Sequence, residues 1–355
     1  MLRKDFIILC MCLGLLSAAC GIAPPSTECA TTTCTNTNTN TSTTPTTPIA
    51  NDQPVNLATF ANITANNPYG RFYPSHVKDL LLGDTDNWHE NFTWMVKDNI
   101  DQSWINLEWA TPAVINRISL YDSPTLAHQI TSGEIVFTAS DGSYISPRSF
   151  SSLSNNGYEA LTVEGPGTSK AVKSIKIKIL NHIGDRAGLN EIVVEGYRIQ
   201  DTAMNVSSST NLAHHARVIA ASSVKNEILD STGGSTLSGL YSARYAIDNN
   251  TQTRWKAING DSSSLTFEFD LPYCVSKITL YDLDQSGESR FSKAKLILDD
   301  SVSFEASKTF SSGQLSINVN QSMISEVKTI RVELIETNGA EVGLKNIDIK
   351  ACPGT

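Results

Sequence analysis

Apolar and polar residues alternate with a period of two along most of the body of the chain, as expected of β-strands that bury one face. The clearest runs cover residues 174–179, 265–271 and 330–334. Helical periodicity is confined to two short stretches, near 76–82 and 239–247. The pattern therefore predicts an all-β protein built from antiparallel sheets.

Short motifs recur in the same order in the two halves of the body. Asn56-Leu57-Ala58 returns 155 positions later as Asn211-Leu212-Ala213. Residues 118–122 return as 278–282, and residues 188–192 return as 343–347. Two copies with so long a period indicate duplicated domains rather than a solenoid. We predict two tandem β-sandwiches, residues 54–200 and 210–353, joined by a Ser-rich linker at 201–209.

The first 53 residues have a different composition. Residues 1–19 carry two basic residues followed by an apolar run too short to span a membrane, which predicts an export signal. The end of this segment, before Cys20, resembles the lipobox of bacterial lipoproteins, although Ser17 departs from it. That resemblance implies acylation of Cys20 and a lipid-anchored protein of the cell envelope, at the outer membrane or cell surface. The alternative is ordinary cleavage after Ala19, which would leave the protein free of lipid. The Thr-, Asn- and Pro-rich residues 20–53 predict a disordered tether.

Charge and cysteine content narrow the function further. The 355 residues carry a formal net charge of -9, which argues against nucleic acid as a partner. The mature chain has an even set of cysteines besides Cys20, and export permits disulfides. Proximity favours Cys29 with Cys34 in the tether and Cys274 with Cys352 in the second domain, with free thiols as the alternative.

The repeated motifs resemble those of the discoidin, or coagulation factor V/VIII C-terminal, domains of the galactose-binding-like fold. The matching elements are an Asn-Leu-Ala start, an acidic loop leading to a Trp, a Leu-Tyr-Asp strand end and a closing strand that begins Gly-Leu. The resemblance implies a jelly roll of about eight strands in each half. It also implies a ligand site on loops at one end of the sandwich.

Calcium is one candidate ligand, because acidic turns rich in Asn and Thr can wrap a hard cation with oxygen atoms. The resemblance also implies a structural calcium at this loop. The candidate ligands are Asp84, Asp86 and Glu191 in the first domain and Asp248, Asn250 and Thr253 in the second. Asn346 stands where the closing strand of the family has Glu. The alternative is that these residues form ordinary Asx turns.

Carbohydrate is the other candidate, because a sugar ring packs on an aromatic face while planar polar groups bind its hydroxyls. The first domain offers Tyr69, Arg71, Tyr73, Trp88 and His89. The second offers a more scattered set: His214, His215, Tyr241, Arg244, Arg290 and Phe291. The alternative for each is an ordinary surface or packing residue. Trp94, Trp104 and Trp255 are expected to pack against the sheets.

Sequence motifs of common catalytic sites, such as a nucleophile elbow, a zinc-protease helix or a phosphate-binding loop, are absent from the chain. Two predicted sandwiches also leave no room for a third domain of enzymatic size. We therefore expect a non-catalytic surface lipoprotein that binds glycans through its loops. The competing hypothesis is an adhesion or scaffold protein that binds protein or lipid partners.

Overall fold

Eighteen β-strands and six short 3-10 helices make up the regular structure of the described residues. The computed structural model describes residues 54–79, 82, 93–153, 157–199, 206–222, 241–258, 263–283, 290–320, 326–338 and 341–353. In order, the strands are β1 (Val55–Asn56), β2 (Asn62–Ala65), β3 (Trp94–Val96), β4 (Trp104–Asp122), β5 (Gln129–Ala139), β6 (Arg148–Ser151), β7 (Leu161–Glu164), β8 (Val172–Ile183), β9 (Ala187–Arg198), β10 (Ala216–Ala221), β11 (Trp255–Ile258), β12 (Ser263–Tyr273), β13 (Val275–Asp282), β14 (Phe291–Leu298), β15 (Val302–Ser307), β16 (Gln314–Asn318), β17 (Val327–Thr337) and β18 (Glu341–Ala351). The 3-10 helices are Leu57–Phe60, Pro74–Lys78, Ile100–Gln102, Gly167–Ser169, Leu212–His215 and Ala243–Ala246.

The second half of the body, residues 206–353, is a two-layer sandwich that we call the second repeat. One layer has the strand order β10-β12-β17-β14-β15, and the other has the order β11-β18-β13-β16. All of these pairings are antiparallel. The core lies between the layers and is filled by the apolar residues of the alternating runs, among them Phe267, Phe269 and Leu296.

The first half, residues 54–199, is the first repeat. Apart from the short β1, which pairs with β9, it has the same pairing with one difference. Its strands β2, β4, β8, β5 and β6 follow the order of the five-stranded layer, and β3, β9, β4 and β7 follow the order of the four-stranded layer. The long strand β4 takes part in both layers: its start pairs with β8 and its end with β9. In the second repeat the same path is divided into β12 and β13. The two layers of the first repeat are therefore continuous through β4.

The antiparallel all-β sandwich predicted by the alternation and by the discoidin-like motifs is confirmed. Each half has its own hydrophobic core cluster, although the described residues belong to one compact unit. Trp94 and Trp255 are fully buried at equivalent positions, while Trp104 is half-buried with the Lys176 ammonium over its ring. Val206, which falls in the predicted linker, is buried in the second core.

The repeated Asn-Leu-Ala motif has a structural role in both halves. Asn56 Oδ1 accepts hydrogen bonds from the backbone N–H of Ala58 (3.1 Å) and of Val194 in β9 (3.0 Å). Asn211 Oδ1 accepts from Ala213 (3.1 Å) and from Ile349 in β18 (2.8 Å). Each asparagine thus caps a 3-10 helix and also ties it to the closing strand of its repeat. The motif is explained by this pair of hydrogen bonds rather than by a ligand.

A disulfide joins Cys274 to Cys352, with the two Cα atoms 5.3 Å apart. It links the turn between β12 and β13 to the end of β18, and Cys352 N–H also donates to the Cys274 carbonyl oxygen (3.0 Å). This is the pair favoured by the sequence within the second repeat. Cys20, Cys29 and Cys34 lie outside the described residues.

The two repeats pack on each other through equivalent elements. The 3-10 helix Leu57–Phe60 contacts the helix Leu212–His215 and strands β10 and β12. Reciprocally, the helix Leu212–His215 contacts β2 and β4, the counterparts of β10 and β12. Such reciprocal contacts are expected when two repeats are related by an approximate two-fold axis. The two repeats therefore form an internal pair that resembles a symmetric dimer.

Replacing Asn56 or Asn211 by Ala is expected to lower the free energy of unfolding by about 2 kcal/mol, because two backbone N–H groups lose their acceptor. Urea unfolding followed by Trp fluorescence measures this change. Asn318, exposed on edge strand β16, supplies the control, and Asn318→Ala should change stability by less than about 0.5 kcal/mol. Equal effects at all three positions would contradict the proposed role of the two caps.

Candidate functional site

The aromatic segment of the first repeat is held by backbone hydrogen bonds to β3. Tyr69 N–H donates to the Met95 carbonyl oxygen (2.8 Å), and Phe72 N–H donates to the Tyr69 carbonyl oxygen (3.0 Å). Gly70 has φ +56°, and a Cβ there would meet no atom within 4 Å. The buried Phe72 anchors the segment, while Arg71 is exposed and Tyr73 is half-buried. The segment therefore presents Arg71 and Tyr73 at the surface of the first repeat.

The acidic loop of the second repeat closes on itself. Asp248 Oδ1 accepts from the Asn250 backbone N–H (3.0 Å) and from the Thr253 hydroxyl (2.9 Å). Asn250 Oδ1 accepts from the Gln252 N–H (3.0 Å), and Asn249 takes the left-handed conformation (φ 61°) that Asn tolerates. The described loop thus has the Asx-turn arrangement that the sequence left as an alternative.

These two segments, predicted as separate sites, line one groove between the repeats. Its larger part, about 550 Å³, lies between residues 63–75 of the first repeat and residues 248–252 of the second. A smaller recess of about 110 Å³ is lined by Arg71, Tyr73, Tyr241, Tyr245, Gln252, Thr253 and Arg254. We call the two together the inter-repeat groove. Tyr73 lines both parts, so it stands at their junction.

Buried side chains behind this groove join the two repeats. His76 Nε2 and the Tyr245 hydroxyl are hydrogen-bonded at 2.8 Å across the two repeats. Tyr73 packs edge-on against Tyr245, with ring centroids 6.1 Å apart. Arg244 forms an ion pair with Asp79, and both side chains are buried. Because these contacts join the 3-10 helices of both repeats, they set the width of the groove.

Burial shifts the pKa values of the groups behind the groove. Desolvation raises the pKa of Asp248 to about 7, although hydrogen bonds from Asn250 and Thr253 oppose the shift. Desolvation lowers the pKa of Lys78 to about 8. Desolvation, together with the nearby Arg244, lowers the pKa of His76 to about 3. His76 is therefore neutral at physiological pH and pairs with Tyr245 as an uncharged ring.

The predicted calcium ligands of the second repeat do not form an open cation site. The Asp248 carboxylate already accepts hydrogen bonds from Thr253, from Asn250 and, at 3.5 Å, from Ser75. Among the described residues no group of three His, Cys, Asp or Glu side chains could hold a metal ion. In the first repeat Glu191 is buried in β9, whereas Asp84 and Asp86 lie outside the described residues. Calcium stays a prediction for both halves.

The other predicted ligand residues are dispersed. Arg290 is not brought to the groove: its side chain is buried and its Nη1 donates to the Phe310 carbonyl oxygen (2.7 Å). Phe291 is fully buried in the second core, and His214 and His215 are buried in a helix that contacts the first repeat. Tyr69 lies under the Arg186 guanidinium (4.6 Å). Trp88 and His89 lie outside the described residues.

Sequence reasoning missed several residues of the site, namely Ser75, His76, Lys78, Asp79 and Tyr245. The signal that could have found them is the pair of short helical stretches that interrupt the strand pattern before each loop. Those stretches become the 3-10 helices Pro74–Lys78 and Ala243–Ala246, which carry the inter-repeat contacts. Their partnership depends on packing of the repeats, which no motif in either half encodes.

Comparison with known proteins gives one family model and several similar solved structures. Residues 56–195 match a family model described as a domain of unknown function (DUF7402), and no curated protein matches. A Streptococcus pneumoniae fucose-binding module, 16% identical, covers 41% of this chain and 99% of its own, with a TM-score of 0.34. A fucolectin from striped bass (Morone saxatilis) serum is 12% identical and covers 86% of this chain and 100% of its own, with a TM-score of 0.32. Allantoicase from Saccharomyces cerevisiae is 13% identical over 86% of this chain and 95% of its own, with a TM-score of 0.44. These similarities carry no ligand or activity over to this chain.

The pKa of His76 predicts a pH dependence of stability. Between about pH 6.5 and pH 3 the unfolded chain binds a proton that folded His76 does not, so stability falls as pH falls through this window. Each such histidine contributes a slope of up to about 1.4 kcal/mol per pH unit. Asp248, whose pKa is raised, acts with the opposite sign between about pH 4 and pH 7.

The contribution of His76 is isolated by the variant His76→Gln. Urea unfolding of both proteins should be measured at several pH values from 6.5 to 4.5. The variant should lose less stability on acidification, and the number of protons taken up on unfolding should be smaller by up to one. Parallel curves for the two proteins would show that His76 gains its proton normally in the folded state.

Proposed function

We propose that the inter-repeat groove binds carbohydrate, and that the protein is a non-catalytic glycan-binding protein of the cell envelope. The observation that carries this proposal is the meeting of Tyr73 from the first repeat with the polar loop 248–252 of the second in one groove. Neither repeat alone contains both an aromatic surface and this loop. The binding unit is therefore the pair of repeats.

The residue types in the groove suit a pyranose ring. Tyr73 and Tyr241 supply aromatic surface, against which the apolar face of a sugar can stack. Arg71, Arg254 and Gln252 bring guanidinium and amide groups to the same recess, and such planar groups bind pairs of neighbouring hydroxyls. The net charge of -9 favours neutral glycans over strongly anionic ones.

The size of the groove also fits this class of ligand. Its main part of about 550 Å³ lies within the range of about 300–1,000 Å³ that small-ligand sites usually occupy. The contacts behind the groove, His76 with Tyr245 and Asp79 with Arg244, hold its two walls together before the ligand arrives. Preformed sites lose less conformational entropy on binding.

The proposed location rests on the amino terminus. The leader 1–19, the lipobox-like Cys20 and the polar tether 20–53 together support a lipid-anchored body held away from the membrane. Among the described residues no helix is both long and apolar enough to cross a membrane.

A glycan array tests the proposal, with the full chain carrying Cys20→Ser so that no detergent is needed. The chain should bind a defined set of neutral glycans, and Tyr73→Ala should weaken binding by about tenfold or more, because stacking on an aromatic ring is lost. Tyr144→Ala is the matched control, since Tyr144 is exposed on the β5–β6 turn outside the groove. Equal binding by both variants would exclude the groove. Repeating the array with a chelator tests the predicted calcium.

The lipid anchor is tested separately by labelling cells with a radioactive fatty acid. The expressed chain should incorporate label and sediment with membranes, and Cys20→Ser should abolish both, because the acylated thiol is gone. Label that persists in Cys20→Ser would rule out Cys20 as the acylated residue.

A further inference from the structure

A second cavity lies behind the groove, on the other side of Ser75 and Asp248, which line both. Its volume is about 220 Å³. The first repeat contributes Lys78 and Asp79 to its wall, and the second contributes strand β10 and the helix that carries Arg244. We call it the inter-repeat cavity. It exists only where the two repeats are packed together.

One side of the inter-repeat cavity is apolar. Val218 and Ile219 of β10 and Ile247 line it. Ile219 is 45% exposed, so it stands at the mouth rather than in the core. A water-filled space against such a wall is unfavourable, and an apolar group that displaced the water would be stabilised by about 25 cal/mol per Å² buried.

The opposite side is rich in hydrogen-bond donors. Arg244 Nε donates to the Ser242 hydroxyl (3.2 Å), and its Nη1 side is paired with Asp79. Arg244 Nη2 is buried and has no hydrogen-bond partner within the described part of the chain. The Lys78 ammonium donates to the Ala61 carbonyl oxygen (2.5 Å), which accounts for one of its three N–H groups. Buried donors without acceptors are rare and call for a water or a ligand.

The carboxylates of this cavity are already engaged. Asp79 is paired with Arg244, and Asp248 accepts hydrogen bonds from Thr253, Asn250 and Ser75. What the cavity lacks is therefore an acceptor for Arg244 Nη2, and both Arg244 and the neighbouring Lys78 are cationic. A carboxylate supplies two acceptor oxygens with the complementary charge, and a guanidinium binds it with matching geometry.

We propose that the inter-repeat cavity binds a small monocarboxylate with a branched apolar body. The carboxylate contacts Arg244 Nη2 and the Lys78 ammonium, and the apolar body packs on Val218, Ile219 and Ile247. A volume of about 220 Å³ is below the usual range of about 300–1,000 Å³ for drug-sized ligands, which restricts the occupant to a few carbon atoms. This site is distinct from the proposed glycan groove and does not depend on it.

Isothermal titration calorimetry tests the proposal with three probes of one shape, isovalerate, isovaleramide and isoamylamine. Isovalerate should bind to the full chain carrying Cys20→Ser, and the neutral amide should bind at least about tenfold more weakly, because a charge-assisted hydrogen bond is lost. The cationic amine should not bind. Equal affinity for acid and amide, or no binding of isovalerate, would overturn the proposal.

Two variants locate the site. Arg244→Gln removes the guanidinium and should abolish isovalerate binding, whereas Arg331→Gln, on the exposed face of β17, should leave it unchanged. Because Arg244→Gln also breaks the pair with Asp79 and could unfold the chain, Ile219→Trp provides a second test. It fills the mouth at a partly exposed position without changing charge, and it should block isovalerate. Unchanged isovalerate binding by Ile219→Trp would place the ligand elsewhere.

Discussion

The packing of the two repeats against each other depends on charges buried between them. Asp79 of the first repeat is paired with Arg244 of the second, and Arg198 of the first is paired with Asp270 of the second, and all four side chains are almost wholly buried. Removing one partner of such a pair leaves an uncompensated charge out of water, which costs about 3–5 kcal/mol. The repeats are thereby held in one register, because any shift would separate both pairs at once.

These pairs act together with further contacts of charged side chains at the same surface. Arg198 Nη1 also donates to the Thr111 carbonyl oxygen (3.0 Å), and the Tyr273 hydroxyl donates to Asp270 (3.1 Å). The Arg217 guanidinium lies over the ring of Phe60 (5.2 Å). Well-packed apolar residues in place of buried ion pairs often give equal or greater stability. What the polar groups add is a single orientation, and both the groove and the cavity depend on that orientation.

The two repeats share a structural motif but present different segments where they meet. Asn56 and Asn211 keep the same cap and the same bond to the closing strand. In contrast, the aromatic segment around Tyr73 is presented in the first repeat, and the Asx loop that begins at Asp248 is presented in the second. One half of the proposed glycan site is thus drawn from each copy. A duplicated fold can share its core pattern between copies while each copy supplies a different part of a joint surface.

The sequence by itself determined the strands, because alternation such as that of Phe267 and Phe269 or of Ile175 and Ile177 follows directly from the two faces of a pleated sheet. It also predicted two repeats, through motifs such as Asn56-Leu57-Ala58, and it named Tyr73, Asp248 and Arg244 as candidates. Only the tertiary structure decided that Tyr73 and Asp248 line one groove, that Asp248 is engaged in its own loop, and that Arg290 is engaged with Phe310 instead. The physical reason is that periodicity reports local burial, whereas Asp79 and Tyr245 acquire their partners from the other repeat, more than 150 residues away in the chain.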